Sequence, residues 1–533
     1  MSEWSAAESE RRTHEEGFTG GFNPWIIALT VTLATFMEVL DTSIANVSLP
    51  HIAGSLSVSQ DESTWVLTSY LMSNAVILPV SGWLSTRFGR KRFYMACVIL
   101  FTISSFLCGI APNLASLIFF RVLQGLGGGG LAPSEQAILA DTFPPAKRGM
   151  AFAVYGMAVV LAPAIGPTLG GFITDTYSWR WVFFINIPVG IVSLLLSSRV
   201  VRDPPHLAEM RKRVGPVDYV GLGLIAVGLG SLEIVLDTGQ ENDWFASRHI
   251  TVYAALAAVA LITFVIWEWR HRNPIVEVRM FRDRNFAVAN LMMLVLGIAL
   301  YGTTVLLPQY LQVWMGYSAQ DAGMVLSPGG VTVICLMPLV GRLVSKVDAR
   351  YLIAFGFMAL SVALYHMSRT IYPGMDFHTA MMLRIYQSIG IAFLFVPINT
   401  LAYTGIAPSK SNQVSGIINL ARNMGGDIGI AMVTTLIARR SQRHQAELVA
   451  NVRPGDPHLL ERLQGIAQAL QHAGISATQS TKLAMASVYR QVIVQAQTLA
   501  YLDVLFVFAC FTAVMVPLVL LTRRAAGGPA VAH

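Results

Sequence analysis

Apolar stretches long enough to cross a bilayer recur fourteen times along this 533-residue chain, and that recurrence limits the fold more than any other feature. They fall at roughly 25–49, 63–84, 93–111, 115–139, 150–174, 181–199, 217–237, 250–269, 286–312, 322–344, 351–369, 379–403, 413–437 and 501–521. About 20 apolar residues span the hydrocarbon core as a helix. Only helices and closed barrels satisfy their own backbone groups there, and these run lengths select helices. Charged residues make up 13% of the chain, against about 25% in soluble domains, so one soluble core is excluded. The prediction is an all-α polytopic membrane protein with 14 transmembrane helices.

An even number of crossings puts both termini on one side. Taking that side as the cytoplasm, the short inner loops collect Arg87, Arg90, Lys91 and Arg92, then Lys147 and Arg148, then Arg211, Lys212 and Arg213. Further inner loops carry Arg270, Arg272, Arg279, Arg282 and Arg284, then Arg342, Lys346 and Arg350. The short outer loops hold only Arg180 and Arg248. Lys and Arg sort to the cytoplasmic side, so the asymmetry sets the orientation, and the net charge of +7 reports topology and not a nucleic-acid partner. The N-terminal residues lack the basic stretch of a cleaved signal, and the first helix is expected to act as its own insertion signal.

The chain also repeats itself. Leu78-Pro79-Val80-Ser81-Gly82-Trp83-Leu84 is echoed by Met337-Pro338-Leu339-Val340-Gly341-Arg342-Leu343, and Arg121 with Gln124 and Gly127 by Arg384 with Gln387 and Gly390. Two six-helix halves (24–200 and 285–522) explain the echo, with 201–284 as an inserted helix pair. The tails, 1–23 (read as disordered) and 523–533, are both placed in the cytoplasm. Transporters built from such repeats place their sites near the midplane between halves. Residues 438–500 read as a long polar outer loop with Leu459, Leu460, Leu463, Ile466 and Leu470 at helical spacing. Either a helical cap or a partner-docking surface fits that stripe.

Two acids stand inside the first apolar run. An acid at the centre of a spanning helix costs roughly 2.5–3.5 kcal/mol on insertion scales, and such residues are functional candidates by default. Glu38 and Asp41 are spaced i,i+3 and share a helix face. Burial beside a second acid favours the protonated form of a carboxyl, which suits a proton carrier. Arg121, with Gln124 behind it in the fourth helix, needs a buried partner, and Glu38 or Asp41 is the natural one. Arg384, Arg422 and Asp427 are read as a secondary polar cluster.

Two glycine-rich stretches carry further signals. Gly82, Arg87, Gly89, Arg90 and Lys91 form a tight basic turn between helices two and three, suited to gating. Gly156, Pro163, Gly166, Pro167, Gly170 and Gly171 place small residues and two prolines inside helix five, where backbones can approach and the helix can hinge.

Other signals carry nothing. Gly125-x-Gly127-x-x-Gly130 fits a dinucleotide pattern formally but lies inside a spanning run with no preceding strand. Walker, HExxH and nucleophile-elbow patterns are absent, so the sequence gives no support to ATP-driven or enzymatic chemistry. Four cysteines sit singly in apolar runs, and no His or Cys spacing suggests a metal.

Taken with these motifs, the chain from about Pro24 to Leu521 resembles the fourteen-helix drug:proton antiporter branch of the major facilitator superfamily, and within it the EmrB-like multidrug exporters. The motifs are Leu40-Asp41-Thr42-x-Ile44-x-Asn46-Val47-x-Leu49-Pro50, the Gly82 turn, the run from Arg121 and the Gly156–Gly171 stretch. Trp179-Arg180-Trp181, Asp243-Trp244-Phe245 and Tyr372-Pro373-Gly374-Met375-Asp376-Phe377 add to them. One departure is Thr86, where the superfamily's gating motif carries an acid. The resemblance implies the major facilitator fold and a proton-coupled exporter of amphipathic drugs in a bacterial inner membrane. It implies no cofactor, the proton gradient being the drive. It further implies a HlyD-type periplasmic adaptor and a TolC-type outer-membrane channel as partners. The alternative is a dedicated exporter of one endogenous metabolite, such as a siderophore or fatty acid.

Overall fold

The computed structural model describes residues 17–523 except 214, 216 and 454, and every regular element among them is helical. The tail residues 1–16 and 524–533 lie outside the described residues. The first half comprises α1 (Pro24–Leu56), α2 (Gln60–Phe88), α3 (Arg90–Gly109), a span broken at Gly129 into α4 (Leu114–Gly128) and α5 (Leu131–Thr142), α6 (Pro145–Thr176), and a composite span of α7 (Trp181–Phe184) and α8 (Asn186–Val200). A short α9 (Pro205–Arg213) leads to the inserted pair, α10 (Tyr219–Thr238) and α11 (Arg248–Arg270). The second half follows as α12 (Arg284–Gln309), α13 (Ala319–Leu343), α14 (Ala349–Thr370), α15 (Phe377–Ala402), α16 (Ser411–Asn451), α17 (Pro457–His472) and α18 (Ala477–Leu518).

Twelve helical stretches among the described residues are long and apolar enough to cross a membrane. Two of the fourteen predicted segments, 63–84 and 413–437, form helices α2 and α16 but are more polar than the rest. Their position explains it. α2 and α16 pack on each other between the halves. Protein neighbours there shelter buried Ser73, Asn74, Asn412, Asn419 and Arg422, so side chains that lipid would penalise find partners.

The helix starts follow local chemistry. Asn23 accepts from the Trp25 amide at 2.9 Å ahead of Pro24, and Ser59 with Glu62 closes a capping box on α2. The two halves then meet along α6–α13, α2–α16 and α5–α16. At the end of the bundle that carries the basic loops, backbones nearly touch. A Cβ on Gly341 would stand 2.9 Å from Met150 Cα and 3.0 Å from the Gly149 carbonyl. One on Gly82 would stand 2.9 Å from the Asn412 carbonyl. Only glycine allows that approach, which is why the Gly82 turn has its echo at Gly341.

The inserted pair lies at the edge of the bundle. α10 packs against α2 and touches α16, while α11 packs mainly on α10 and buries only 22% of its most apolar stretch.

The polar segment 438–500 is largely helical, as its stripe predicts. α16 continues to Asn451 and α18 begins at Ala477, so both interior helices project past the bundle as a hairpin with α17 laid against α18. On the stripe, Leu459, Leu463, Ile466 and Leu470 are half-buried and Leu460 is 46% exposed. Most of the apolar face therefore covers the chain's own helix, and Leu460 is the stripe residue left exposed.

Candidate functional site

The Arg121 guanidinium is fully buried midway along the bundle. Its Nη1 donates to Asp41 Oδ2 at 2.7 Å and to Gln124 Oε1 at 2.9 Å, and its Nε donates to the Val66 carbonyl at 2.9 Å. Asp41 is saturated. Its Oδ1 accepts from Gln124 Nε2 at 3.1 Å and from Asn186 Nδ2 at 2.6 Å. A buried ion pair holds only when its geometry and extra hydrogen bonds offset desolvation, and this one has both. The predicted Arg121–acid pair is therefore an Arg121–Asp41 pair.

Glu38, one turn away on the same face of α1, has different company. Its Oε1 accepts from the Tyr70 hydroxyl at 3.0 Å and from Asn74 Nδ2 at 3.1 Å, both neutral donors on α2. Tyr70 joins the two acids. Its ring lies 4.3 Å beneath the Arg121 guanidinium while its hydroxyl holds Glu38. One side chain thus contacts both the Arg121 guanidinium and the Glu38 carboxyl.

The second half repeats the arrangement without the acid. Arg384 Nη1 donates to Gln387 Oε1 at 2.8 Å, as Arg121 does to Gln124. Where Asp41 would stand, Thr304 takes Arg384 Nη2 at 3.4 Å and Thr303 takes Gln387. Arg384, Arg422 and Asp427 do not form one cluster. Arg422 donates to the Tyr155 hydroxyl at 2.6 Å and to Asn423, and Arg384 to Gln387 and Thr304, so neither guanidinium is held by Asp427.

The structure adds groups that the sequence reading passed over. Glu135 on α5 is fully buried; its Oε1 takes the Thr32 hydroxyl, and its Oε2 has no partner among the described residues. Its neighbour Gln136 bridges the halves, donating to Asn399 at 3.1 Å and accepting from Asn419 at 2.9 Å. Tyr155 donates to Asn419 at 2.8 Å. The signal for Glu135 was present, because it is an acid inside a predicted span.

The basic turn is pinned to both halves. Gly89 has φ +91°, which suits glycine alone, and joins α2 to α3. Arg90, 2% exposed, pairs with Asp141 at 2.7 Å and reaches Ser411 of the second half at 3.3 Å. Lys91 Nζ donates to the Ser198 carbonyl at 2.6 Å, and Asp203 accepts from the Lys91 amide at 2.8 Å. Arg87 is exposed. Thr86, in the place of the missing acid, accepts weakly from Asn412 at 3.5 Å.

In α6, Gly156 faces Met337 and Phe395 of the second half, while Gly166 and Gly170 face Ser43 and Ile44 of α1. Pro163 exposes a carbonyl to the Ser43 hydroxyl at 3.4 Å, Pro167 sits half-buried one turn on, and Gly171 faces open space. The stretch therefore packs on two partners at once, as a hinge between them would.

Comparison with known proteins agrees with this architecture. The Major Facilitator Superfamily family model matches residues 31–430. The chain is 39% identical to the multidrug export protein EmrB of Escherichia coli over 451 residues, covering 84% of this chain and 87% of that one. It is also 39% identical to the fatty acid resistance protein FarB of Neisseria gonorrhoeae, covering 83% and 86%. The colistin resistance protein EmrB of Acinetobacter baumannii is 30% identical, with coverage of 91% and 93%. Among solved structures, the proton:xylose symporter XylE superposes with a TM-score of 0.57 at 14% identity, covering 96% of this chain and 98% of that one, which shows the shared fold. The chain belongs to the major facilitator superfamily and, within it, to the EmrB-like multidrug exporters.

Proposed function

We propose that this multidrug exporter moves amphipathic compounds out of a bacterial cell in exchange for protons, with Asp41 and Glu38 as the acids that take up and release them. The supporting observation is the fully buried Asp41–Arg121 pair, linked through Tyr70 to a second buried acid held by neutral donors. A proton arriving at Asp41 cancels one partner of the ion pair and leaves Arg121 free to re-pair. Arg121 then shifts Tyr70 and Glu38, and the halves rock about α6 and α13, where the glycine contacts allow close sliding.

The end carrying the basic loops is read as cytoplasmic. There the halves are held by Arg90 to Ser411 and Asn412 to Thr86, so the structure supports a state closed to the cytoplasm. The membrane is read as the inner one, with both termini inside. A HlyD-type periplasmic adaptor and a TolC-type channel fit this reading, with the α16–α18 hairpin on the periplasmic side. The fatty acid resistance named for FarB favours acidic amphiphiles as additional cargo.

Purified protein in proteoliposomes, given an imposed pH gradient and a panel of lipophilic dyes, tests this. The gradient should drive dye movement, and an ionophore that collapses the gradient should stop it. Dye movement indifferent to the gradient would overturn the proton-exchange reading.

A further inference from the structure

Both halves carry the Arg–Gln pair, but its counter-ion differs. Arg121 is paired with Asp41, whereas Arg384 on α15 has no carboxylate partner among the described residues. Arg384 is 5% exposed. Its Nη1 donates to Gln387 Oε1 at 2.8 Å, while its Nη2 reaches the Thr304 hydroxyl of α12 only at a long 3.4 Å. Its Nε is buried with no hydrogen-bond partner. A guanidinium does not shed its proton inside a protein, so burial alone leaves the charge in place. Such a charge within a spanning helix calls for an opposite charge or a ring of acceptors, and Arg384 has one short hydrogen bond.

The unfilled edge of the guanidinium has a definite shape. With Nη1 taken by Gln387, the Nε–H and the adjacent Nη2–H remain, side by side on one edge. Two parallel donors so placed match the two oxygens of a carboxylate. Thr304 stands where Asp41 would stand, and its hydroxyl proton is already given to the Leu300 carbonyl at 2.7 Å. Gly329 of α13 keeps the Nε side uncrowded, since a Cβ there would stand 2.8 Å from Arg384 Cγ and 3.3 Å from Nε. The next residue, Gly330, faces Leu161 and Ala164 of α6. Arg384 therefore lies directly behind the α6–α13 surface along which the halves meet.

We infer that Arg384 binds the carboxylate of an acidic amphiphile, so that cargo supplies the counter-ion that Asp41 supplies to Arg121. The Nε and Nη2 protons go to the two carboxylate oxygens, and Gln387 holds the guanidinium plane. Rocking of the halves, which moves α13 against α6, gives cargo its access. Neutral and cationic compounds gain nothing from this contact, so Arg384 sets selectivity among cargoes and takes no part in the proton step. The inference rests on the reading that acidic amphiphiles are among the cargo, and it names the residue that receives them.

The test measures binding to the purified full-length protein in phosphatidylcholine nanodiscs. The probes are dansylaminoundecanoate, its methyl ester and ethidium. Wild type should bind the acid more tightly than the ester. In Arg384→Leu the Kd of the acid should rise on the order of tenfold or more, as loss of a charge-assisted pair of hydrogen bonds does. That rise should exceed any change for ethidium, and acid and ester should then bind alike. Thr304→Asp gives Arg384 a carboxylate of its own and should weaken the acid to the same degree, which keeps the test open if Arg384→Leu unfolds. Wild-type affinity for the acid in both variants would overturn the assignment while leaving acidic cargo standing. Equal losses for acid, ester and ethidium would make Arg384 structural and overturn it too. If phosphatidylglycerol in the discs abolishes the acid's advantage over its ester, the guanidinium belongs to lipid phosphate and the assignment falls. A wild type that binds no acid at all would overturn the acidic-cargo reading itself.

Discussion

Arg121 donates to Asp41 at 2.7 Å with both side chains essentially sealed from solvent, so each charge in the centre of the first half depends on the other. Removing one partner leaves an uncompensated buried charge, which costs about 3–5 kcal/mol, whereas apolar replacement of both is often neutral. Arg121→Leu should therefore lower the unfolding midpoint strongly, and the double variant Arg121→Leu/Asp41→Leu should recover most of the loss. A double variant no more stable than the single one would show that the pair does not stabilise through mutual compensation.

Glu38 is bound by neutral groups, and its substitution should alter function more than fold. Glu38→Gln keeps an oxygen for Tyr70 and Asn74, so its stability cost should stay under about 1 kcal/mol. The pH dependence of transport, or the preference for cationic over neutral dyes, should shift, since a like charge beside Asp41 is gone. Tyr70→Phe should shift the same profile while keeping the ring beneath Arg121. Unchanged pH–rate profiles in both variants would make Glu38 a structural acid.

In α6, any side chain at 166 meets Ser43, because a Cβ there would overlap the Ser43 Oγ and Cβ. Gly166→Leu should insert and fold but fail to transport, since α1 and α6 could not keep their contact through the cycle. Normal turnover in a membrane-inserted Gly166→Leu protein would show that this contact is not kept during rocking.

The hairpin beyond the bundle makes a separable prediction. α17 has no buried residue, so replacing 457–472 with a short Gly/Ser linker should leave dye transport in proteoliposomes unchanged. In cells the same change should reduce resistance and co-purification with the adaptor. Wild-type adaptor recovery would place docking elsewhere on the α16–α18 projection or on the bundle.

Much of this was legible in the chain. Spanning length fixed the helical class, and the Arg121/Arg384 echo exposed the repeat, which the structure reproduces down to the Arg–Gln hydrogen bond in each half. The rule that flagged Glu38 and Asp41, an acid inside an apolar run, also applied to Glu135 and Glu233. Glu135 was hidden because its partner, Thr32, lies 103 residues away in sequence. Asp427 was paired with Arg422 by proximity along one helix, but five residues turn the two side chains away from each other on α16. The leucine spacing in 438–500 pointed to helix there, but the polarity after 437 hid that α16 itself runs on to Asn451, because a helix that leaves the bilayer needs no apolar surface to stay helical.

The account stands most directly on one comparison, gradient-driven dye efflux in proteoliposomes of the wild type and Asp41→Asn. Asparagine keeps the shape and still accepts from Arg121, but it cannot take up or release a proton at any accessible pH. The account predicts that the variant binds dye at high pH and shows no efflux driven by the pH gradient. Unchanged pH-driven efflux in Asp41→Asn would contradict it.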